Sequence, residues 1–527
     1  MTNAASDDNA APQAPPHAGI TLVALILVAT VANLNLSVAN VALPNIGLAF
    51  KASQSALNLV AVGFSLGLAG TVLYLGAIGD RYGRYMMLLI GTSLAIPTSI
   101  AAAWSTDMTM LIVSRVLGGV AAGMAFPTTL ALITALWSGP ARVRAIAAWS
   151  AVGAAMAAVG PLLAGIVLNT YWWGSCFLIS IPLALVAFGL SARYVPRHVN
   201  ESTEPVDNLG GVISVVAVMA LVLSINLAPS PGEDRAALIA GIIAVVALVA
   251  FFVRQRRAAE PLFDLAIARR RIFWVAATGG LIVFGTLMAA IFLGEQYLQD
   301  VLGYSTLKAG AAGLPAAVAM LIAAPISARL IERFGSRFTL LCGYAFCLAA
   351  FIMMLVTWTE TSGYPVVAAA FCLAGIGVGL AGTPASHSLT SSVPVRRAGM
   401  ASGTSDLQRD LGGSIMQSLL GAILTAGYAA AVASAVAKSP TKISDAVTSE
   451  LQRSFASAAT VAERYPAYSK AIIAGARSSF LEGANWAYAS GCISIILGAI
   501  VIAVFFPRRD EEERLLASYE AEDASFT

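Results

Sequence analysis

Two aspartates one helical turn apart stand in an apolar stretch near residue 400, where a carboxyl group could carry protons. Asp406 and Asp410 flank Arg409, and Gln417 follows further along. A helix beginning near Gly399 would place the two carboxyls about 10 and 16 Å deep, close to the middle of a membrane. Burial favours a neutral carboxyl and a nearby arginine favours a charged one, so movement of Arg409 would switch protonation. The pattern predicts proton coupling by at least one acid; the alternative is an Asp406–Arg409 pair that holds helices together.

An arginine also falls inside an apolar stretch. Arg115 follows the outer end of the fourth stretch and Asn35 precedes that of the first, so both sit roughly 10–12 Å below one surface. An arginine at this depth needs an acid, carbonyl groups, water or an anionic ligand. Two roles stay open: Arg115 faces water and binds anionic or polar headgroups, or it is satisfied by Asn35 and backbone carbonyls as a structural pin.

Three further polar side chains of the first stretch share one face. At 100° per residue, Asn33, Ser37 and Asn40 fall within about 60° of one another, while Asn35 points the other way. They line a cavity or attach the first helix to a neighbour, as small polar residues often do in membrane helices.

Composition places these residues in a membrane. Of 527 residues, 58% are hydrophobic and 11% charged, with a mean hydropathy of +0.80, whereas soluble proteins carry about 25% charged residues. Apolar runs of about 20 residues recur, each long enough to cross the hydrocarbon as a helix. We predict an all-α polytopic membrane protein with fourteen transmembrane helices. The predicted spans are 18–43, 56–78, 85–105, 108–133, 145–168, 175–194, 209–228, 236–254, 272–294, 307–328, 338–358, 363–386, 399–428 and 484–506.

A third acid, Glu295, lies at the outer end of the ninth span. It is either an acid at the mouth of a transport path, which releases protons or attracts cations, or simply an interfacial charge. It is therefore a further candidate for proton coupling.

Arginines in the connections predict the orientation. One alternating set of connections is rich in arginine, whereas the short connections of the other set hold little beyond Lys51, Arg235 and Lys308. By the positive-inside rule the arginine-rich set faces the cytoplasm, together with both termini. The N-terminal tail does not support this orientation, since it has no lysine or arginine. The more numerous later connections determine the prediction. We expect a multi-pass protein of the inner (cytoplasmic) membrane of a cell.

An internal repeat divides the chain into two halves. The connection after the second span reads Asp80-Arg81-Tyr82-Gly83, and that after the tenth reads Glu332-Arg333-Phe334-Gly335. Two similar bundles with a site between them are the architecture of alternating access. We predict two six-helix bundles, spans 1–6 and 9–14, with spans 7–8 inserted. The predicted units are a disordered cytoplasmic tail at 1–17, the N-terminal bundle at 18–207, the inserted helices and linker at 208–271, the C-terminal bundle at 272–507, and a cytoplasmic tail at 508–527.

Residues 430–482 form the long external connection of the C-terminal bundle. Val447, Leu451 and Phe455 recur at a spacing of four residues, which predicts a short amphipathic helical hairpin. This hairpin either lies on or caps the outer mouth, or is a tolerated surface insertion.

Several kinds of site are not expected from the residues. The five cysteines lie in apolar runs without metal-type or redox-type spacing, and the three histidines are scattered, so we expect no metal site. The chain has no GxxxxGK[ST] sequence, and no nucleophile or paired-acid constellation typical of an enzyme. We expect no cofactor, no ATP and no nucleic acid, with a proton gradient as the energy source. The expected partners are membrane lipid and a small molecule, and a monomer is the simplest state.

Three motifs resemble one transporter family. Gly76-Ala-Ile-Gly79-Asp80-Arg81-Tyr82-Gly83-Arg84 resembles the loop 2–3 signature of the major facilitator superfamily, whose acid and arginines can latch the bundles on the cytoplasmic side. Ser114-Arg115-Val-Leu-Gly118-Gly119 resembles its fourth-helix motif. Residues 153–165 resemble the fifth-helix motif of the antiporter branch, in which Gly160-Pro161 bends the helix and small residues such as Gly165 allow close packing.

The number of spans points further, to one branch. Fourteen spans, and Gln296-Tyr297-Leu298-Gln299 followed by Gly303-Tyr304-Ser305, are similar to the fourteen-helix drug:proton antiporter branch. The resemblance covers residues 18–506. It implies a non-enzymatic, proton-driven exporter of hydrophobic or amphipathic compounds.

Two positions depart from that branch. It has a carboxylate near the end of the first helix, where this chain, aligned on Asn40-Val41-Ala42-Leu43-Pro44, has Asn35. Before the sixth helix, Ser180 stands where the branch has an asparagine. We expect Arg115 to lack an acid partner, proton coupling to move to the thirteenth span, and dependence on cationic drugs to be weaker than the resemblance implies.

Two alternatives to multidrug-type efflux stay open. A lipid or lipid-conjugate exporter on the same fold is mildly favoured by Asn35, Arg115 and the long external connection. A receptor or scaffold would keep the fold without transport, and its phenotype would survive the loss of Asp80 and Arg81.

Overall fold

The computed structural model describes residues 15, 17–50, 54–199, 205–228, 234–439 and 443–525. Most of the predicted disordered tail at 1–17 lies outside these residues, and so does the side chain of Asn40.

The described residues form twenty α-helices and no β-strand. The first nine are α1 (Ala18–Phe50), α2 (Gln54–Tyr82), α3 (Arg84–Ala103), α4 (Met108–Leu136), α5 (Gly139–Leu168), α6 (Ser175–Leu178), α7 (Ser180–Tyr194), α8 (Asn208–Leu227) and α9 (Asp234–Arg257). The others are α10 (Leu265–Ala268), α11 (Arg271–Gln296), α12 (Thr306–Ala311), α13 (Leu314–Phe334), α14 (Ser336–Thr357), α15 (Tyr364–Ser391), α16 (Ala398–Ala437), α17 (Asp445–Arg453), α18 (Phe455–Arg464), α19 (Ser469–Phe505) and α20 (Arg509–Ser525).

Thirteen segments of the described chain are helical, long and apolar enough to cross a membrane. They correspond to thirteen of the fourteen predicted spans, with α6 and α7 together forming the sixth. The remaining span, 145–168, lies within the 30-residue α5, whose end at Val159–Leu168 is apolar. Helices satisfy their own backbone groups, which hydrocarbon demands. The predicted all-α polytopic class is confirmed.

The span predicted at 18–43 is confirmed, and the two largest differences between predicted spans and helices lie on the side opposite the arginine-rich connections. α16 continues to Ala437 instead of residue 428, and α19 begins at Ser469 instead of 484; α1 continues as a helix to Phe50, beyond its span. Hydropathy marks where a helix leaves hydrocarbon, whereas packing decides where it ends. α16 and α19 continue side by side: a Cβ atom on Gly483 would lie 2.5 Å from the carbonyl oxygen of Leu424.

The two short helices α17 and α18 lie between these extensions. The buried Leu451 packs with the partly buried Val447 and Phe455 against the core of the C-terminal half. Tyr428 Oη of α16 donates a 3.0 Å hydrogen bond to the carbonyl oxygen of Leu451. The segment predicted as a short amphipathic hairpin therefore contains two helices that pack on α16 and α19; residues 440–442 lie outside the described chain.

Helix packing produces two bundles and an inserted pair. In the first bundle α4 packs on α2 and α3, and α1 on α5; in the second α15 packs on α13 and α14, and α16 on α11 and α19. α8 and α9 pack on each other, and α8 also packs on α2. The bundles meet mainly where α5 faces α13 and α2 faces α16. Any site between the halves must therefore be built from these four helices and their neighbours.

The C-terminal helix α20 lies on the arginine-rich side, defined here as the side of Arg81, Arg142, Arg270, Arg333 and Arg397. Arg270 forms an ion pair of 2.6 Å with Asp523, and Arg271 one of 2.6 Å with Glu511. Glu512 accepts a 3.2 Å hydrogen bond from the backbone N–H of Ser336 at the start of α14. These contacts dock α20 on the base of the C-terminal bundle.

Candidate functional site

A buried ion pair joins the two halves on the arginine-rich side. Asp80 accepts a 2.9 Å hydrogen bond from Arg84 Nε, and its other oxygen accepts a 2.7 Å bond from the backbone N–H of Gly399 in α16. Arg84 Nη2 donates to the carbonyl oxygen of Val395 at 2.6 Å. Both side chains of the pair are almost fully buried. These contacts, called the α2–α16 latch below, tie the end of α2 to the start of α16.

Glycines bring the two helices of the latch into backbone contact. A Cβ atom on Gly76 would lie 3.0 Å from the carbonyl oxygen of Gly399, and one on Gly399 would lie 2.6 Å from that of Gly76. Gly83 follows α2 with φ 117°, and Gly335 follows α13 with φ 83°. Only glycine adopts such angles readily. The glycines of the repeated motif therefore serve two purposes, close approach and chain reversal.

The second copy of the motif forms a weaker link. Glu332 lies 3.9 Å from Arg144 at the start of α5, and both side chains are exposed. Exposed ion pairs contribute about 0–1 kcal/mol, far less than the loss of one partner from a buried pair. Arg81 and Arg333 each lie over the aromatic ring that follows them in the motif. The two copies occupy equivalent places in the two halves, but their ion pairs contribute unequally to stability.

Three of the four carboxylate oxygens of Asp406 and Asp410 on α16 are buried without hydrogen-bond partners in the described chain. Asp406 is 2% exposed, and neither of its oxygens is partnered within the described chain; the same holds for Oδ2 of the partly buried Asp410. Nε and Nη2 of Arg409 are likewise unpartnered there. No hydrogen bond thus joins Asp406 to Arg409. Isolated buried carboxylates cost free energy, so the site needs protons, water or a cation.

Three aromatic rings surround the guanidinium of Arg409. Its Cζ lies 4.5 Å from the ring centre of Trp149, 4.8 Å from that of Phe284 and 6.0 Å from that of Phe126. Phe126 and Trp149 stack with centres 5.5 Å apart, and Trp149 Nε1 donates to Thr129 Oγ1 at 2.8 Å. These three rings are called the aromatic box below. α4 and α5 supply two of them and α11 the third, so the box lies between the halves.

The aromatic box and two polar side chains with buried atoms, Gln408 and His387, are not predicted from the sequence. Both ends of the Gln408 amide, and Nδ1 of His387, are buried without a hydrogen-bond partner in the described chain. The predicted Gln417 is half-buried further along α16. Aromatic residues are common in apolar helices whether they face lipid or a neighbour, so their spacing carries no signal. Gln408, a polar residue beside Asp406 in an apolar helix, was the signal available.

Arg115 is buried among backbone carbonyls and rings. Nη1 donates to the carbonyl oxygen of Asn35 at 2.7 Å, and Nε to that of Val60 at 3.3 Å. Its Cζ lies 5.0 Å from the ring centre of Phe64 and 5.5 Å from that of Phe177. Nη2 is buried and unpartnered within the described residues. The arginine thereby connects α4 to α1 and α2.

Asn35 and Ser180, the two departures from the family pattern, form a hydrogen bond with each other. Asn35 Oδ1 accepts hydrogen bonds from Ser180 Oγ at 3.1 Å and Ser99 Oγ at 3.4 Å, while Nδ2 donates to the carbonyl oxygen of Val31 at 3.1 Å. A pocket beside them, shared with Arg115, has no carboxylate in its lining. Both ends of the Asn35 amide therefore form hydrogen bonds, and its oxygen links α1 to α3 and α7.

Asn33 and Ser37 lie where α1 meets α5. Both side chains donate to carbonyl oxygens of their own helix, at 2.8 and 3.1 Å. A Cβ atom on Gly160 would overlap Ser37 Oγ. Pro161 lies within α5 directly after this contact, and the buried Gly165 follows one turn later. The fifth-helix motif thus serves close helix packing.

Glu295 is half-buried in the last turn of α11. A π-helical turn at Tyr297–Val301 follows it and carries Asp300, a half-buried acid that sequence analysis did not consider. Tyr297 Oη donates to the carbonyl oxygen of Thr359 at 2.6 Å. Both acids therefore lie at an anchored helix end, away from the aromatic box in sequence and in the fold.

Comparisons with known proteins identify a family and several relatives of this chain. The model of the Major Facilitator Superfamily matches residues 25–417. The multidrug efflux pump LfrA of Mycolicibacterium smegmatis is 29% identical over 94% of this chain and 97% of its own. The methyl viologen resistance protein SmvA of Salmonella typhimurium is 32% identical over 75% of this chain and 80% of its own.

Solved structures share the fold at much lower identity. The human organic anion transporter MFSD10 gives a TM-score of 0.57 at 13% identity, covering 93% of this chain and 100% of its own. A bacterial homologue of the human lysosomal transporter Spinster gives 0.55 at 16% identity, covering 96% and 99%. A family match across most of the chain, on two bundles joined by the α2–α16 latch, leads to one conclusion: the chain belongs to the Major Facilitator Superfamily.

Proposed function

We propose that this chain is a secondary active transporter that exports hydrophobic or amphipathic small molecules in exchange for protons. The observation that carries the proposal is the group of unpartnered side chains on α16, Asp406, Arg409 and Asp410, enclosed where the two halves meet. Alternating access requires a site at this place, reached from one side at a time. The α2–α16 latch supports it, because a buried contact between halves is what must open to expose the arginine-rich side.

The relatives support the class of cargo. Two of them are named for multidrug efflux and for methyl viologen resistance, and both cover most of this chain. We extend efflux of small hydrophobic or amphipathic molecules from them to this chain. A pump of this kind needs no cofactor, no ATP and no nucleic acid, and each monomer holds a complete path.

We place the arginine-rich side in the cytoplasm, with both termini, and the protein in the inner membrane. The support is the arginine bias of the connections. The ion pairs of α20 place the C-terminus relative to these arginines. Arg270 and Arg271 are neutralised by acids of α20, so the C-terminus lies on the same side as these arginines. The N-terminal tail is placed on the same side because an even number of spans returns the chain to the side from which it started.

We also propose roles for the individual residues. Asp406 and Asp410 carry protons, and Glu295 is a secondary acid near the opposite mouth. Arg115 we propose as a pin between α1, α2 and α4, because two carbonyl groups and two rings already hold it. Asn33 and Ser37 attach α1 to α5.

Proteoliposomes with an imposed pH gradient test the proposal. Wild-type protein should accumulate a lipophilic cationic dye against its gradient, driven by an opposing proton gradient. Asp406→Asn and Asp410→Asn should lose this driven accumulation while downhill exchange of the dye continues, because only the response to protons is removed. An anionic amphiphile measured in parallel reports which charge the path accepts.

Asp234→Asn is the matched control, since this exposed aspartate begins α9 away from the site. It should keep gradient-driven accumulation at the wild-type level. The assignment of proton coupling fails if both α16 variants respond to the pH gradient as wild type does. Efflux itself fails if the wild-type protein moves neither probe.

A further inference from the structure

The aromatic box already holds a cation, and that cation belongs to the protein. The guanidinium of Arg409 lies 4.5 Å from the ring centre of Trp149 and 4.8 Å from that of Phe284, distances at which ring faces attract positive charge. Phe126 closes the box at 6.0 Å. An aromatic box is a general device for holding flat or quaternary cations. Here the side chain of Arg409 fills it.

Arg409 is held less firmly than the other arginine that lies between rings. Arg115 also lies between two rings, but two carbonyl oxygens accept hydrogen bonds from it. Nε and Nη2 of Arg409 have no such partner within the described chain, and the side chain is only partly buried. Ring faces alone give a modest attraction. A ligand with a better fit to the rings can therefore take its place.

The displaced arginine has somewhere to go. Asp406 lies three residues before Arg409 on α16, and Asp410 follows it directly; three of their four carboxylate oxygens are buried without partners in the described structure. A guanidinium that leaves the rings can make hydrogen bonds with these oxygens, which are stronger when the partners are charged. Two carboxylates can also balance two positive charges, those of Arg409 and of an entering cation.

We propose that Phe126, Trp149 and Phe284 form the recognition site for flat aromatic cations, and that Arg409 occupies this site in the empty protein as a built-in competitor. The cation displaces Arg409 from the rings onto Asp406 and Asp410. The proposal rests on the proposed export function for its cargo, and it names the cargo class. The rings come from both halves, so a bound cation contacts α4 and α5 as well as α11.

Equilibrium binding of ethidium to the purified protein in detergent tests this proposal. Arg409→Met should bind ethidium about five- to thirtyfold more tightly, because the competitor is gone. Trp149→Leu should weaken binding by a similar factor. Trp104→Leu is the matched control: this tryptophan is exposed on the outer surface and away from the box, so affinity should stay unchanged.

The double variant separates competition for the rings from simple charge repulsion. If Arg409 competes for the ring faces, the gain from Arg409→Met must shrink at least severalfold in the Trp149→Leu background, because interacting residues do not contribute additively. Equal gains in both backgrounds would show that Arg409 only repels the ligand, and the proposal would be wrong. An unchanged or weaker affinity of Arg409→Met would overturn it as well.

Arg409→Gln guards against a variant that does not fold. It keeps hydrogen-bonding capacity without charge or full planar stacking, and must also bind ethidium more tightly. Because binding is measured without a gradient, the outcome is independent of proton coupling. A ring site that survives in a protein without gradient-driven transport would contradict the export proposal alone, and coupled transport with no ring-dependent affinity would contradict the ring site alone.

Discussion

Asp80 of α2 accepts a 2.7 Å hydrogen bond from the backbone N–H of Gly399, in the first turn of α16. The carboxylate therefore meets the positive end of a helix, where negative charge is stabilised. Arg84 holds the other oxygen at 2.9 Å. One buried side chain thus bridges the two halves and joins the most sequence-distant parts of the latch.

Replacing this carboxylate should open the arginine-rich side. Asp80→Asn leaves Arg84 buried without its ion-pair partner, a change that costs about 3–5 kcal/mol in buried pairs. We expect faster amide hydrogen exchange in the first turns of α16 and export slowed by about tenfold or more. Hydrogen exchange by mass spectrometry and dye efflux measure the two effects.

The second copy of the motif provides the control for that experiment. Glu332→Gln removes an exposed ion pair with Arg144, worth about 0–1 kcal/mol. Exchange in α16 should stay as in wild type, and export should change by less than about threefold. Equal effects of the two substitutions would mean that the unequal burial of the two copies has no energetic consequence.

Arg115→Met distinguishes a structural pin from an anion site. Loss of hydrogen bonds to two carbonyl oxygens removes about 2–3 kcal/mol, because bonds to charged groups are strong. We expect a lower thermal midpoint of the purified protein, with export of cationic and anionic amphiphiles reduced in parallel. Selective loss of anion export at an unchanged midpoint would instead support anion binding by Arg115.

Most of the fold, and the motifs that hold Asp80 and Asp406, can be predicted from hydropathy and charge. Apolar runs must be helical in hydrocarbon, and the motif that holds Asp80 is contiguous, so both can be recognised in the sequence alone. The aromatic box is not contiguous: Phe126, Trp149 and Phe284 come from three helices whose relative rotation no local pattern records. The same holds for the bond between Asn35 and Ser180.

Helix ends were less predictable for a related reason. α16 and α19 continue past the apolar region because they pack on each other, with Gly483 against the backbone near Leu424. Composition alone predicts a polar connection there. The docking of α20 was equally hidden, because its ion pairs use acids from a segment that reads as a charged tail.

A steric prediction concerns the contact between α1 and α5. Gly160→Ala places a methyl group against Ser37 Oγ, and overpacking of this kind costs about 1–3 kcal/mol. We expect export and thermal stability to fall. Ser37→Ala in the same chain should restore part of both, because only a 3.1 Å approach to Ser37 Cβ then remains.

Gly189→Ala on α7 is the matched control for Gly160→Ala. An added Cβ meets nothing within 4 Å there, and alanine favours a helix over glycine by about 1 kcal/mol. Stability should be equal to wild type or slightly higher. If Ser37→Ala fails to improve Gly160→Ala, the damage at residue 160 arises elsewhere than at the contact with α1.

The last prediction concerns the pH dependence of α20 docking. Burial raises the pKa of Glu512 above its ordinary value of 4.5, and the hydrogen bond from the N–H of Ser336 only partly opposes this. The docked helix therefore prefers the protonated carboxyl. The contribution of Glu512 to docking should be complete below pH 4.5 and be lost as pH rises through the raised pKa, because the charged form is the one that burial penalises.

Limited proteolysis and hydrogen exchange of residues 509–525 across that pH range measure the docking of α20. Glu512→Gln should remove the pH dependence while keeping a buried polar group at the start of α14. Glu513→Gln removes an exposed negative charge, paired with Arg509, that raises the pKa of Glu512; it should move the profile to lower pH without abolishing it. A profile that rises with pH, or that survives in Glu512→Gln, would mean that the ion pairs with Arg270 and Arg271, and not Glu512, set the pH dependence of docking.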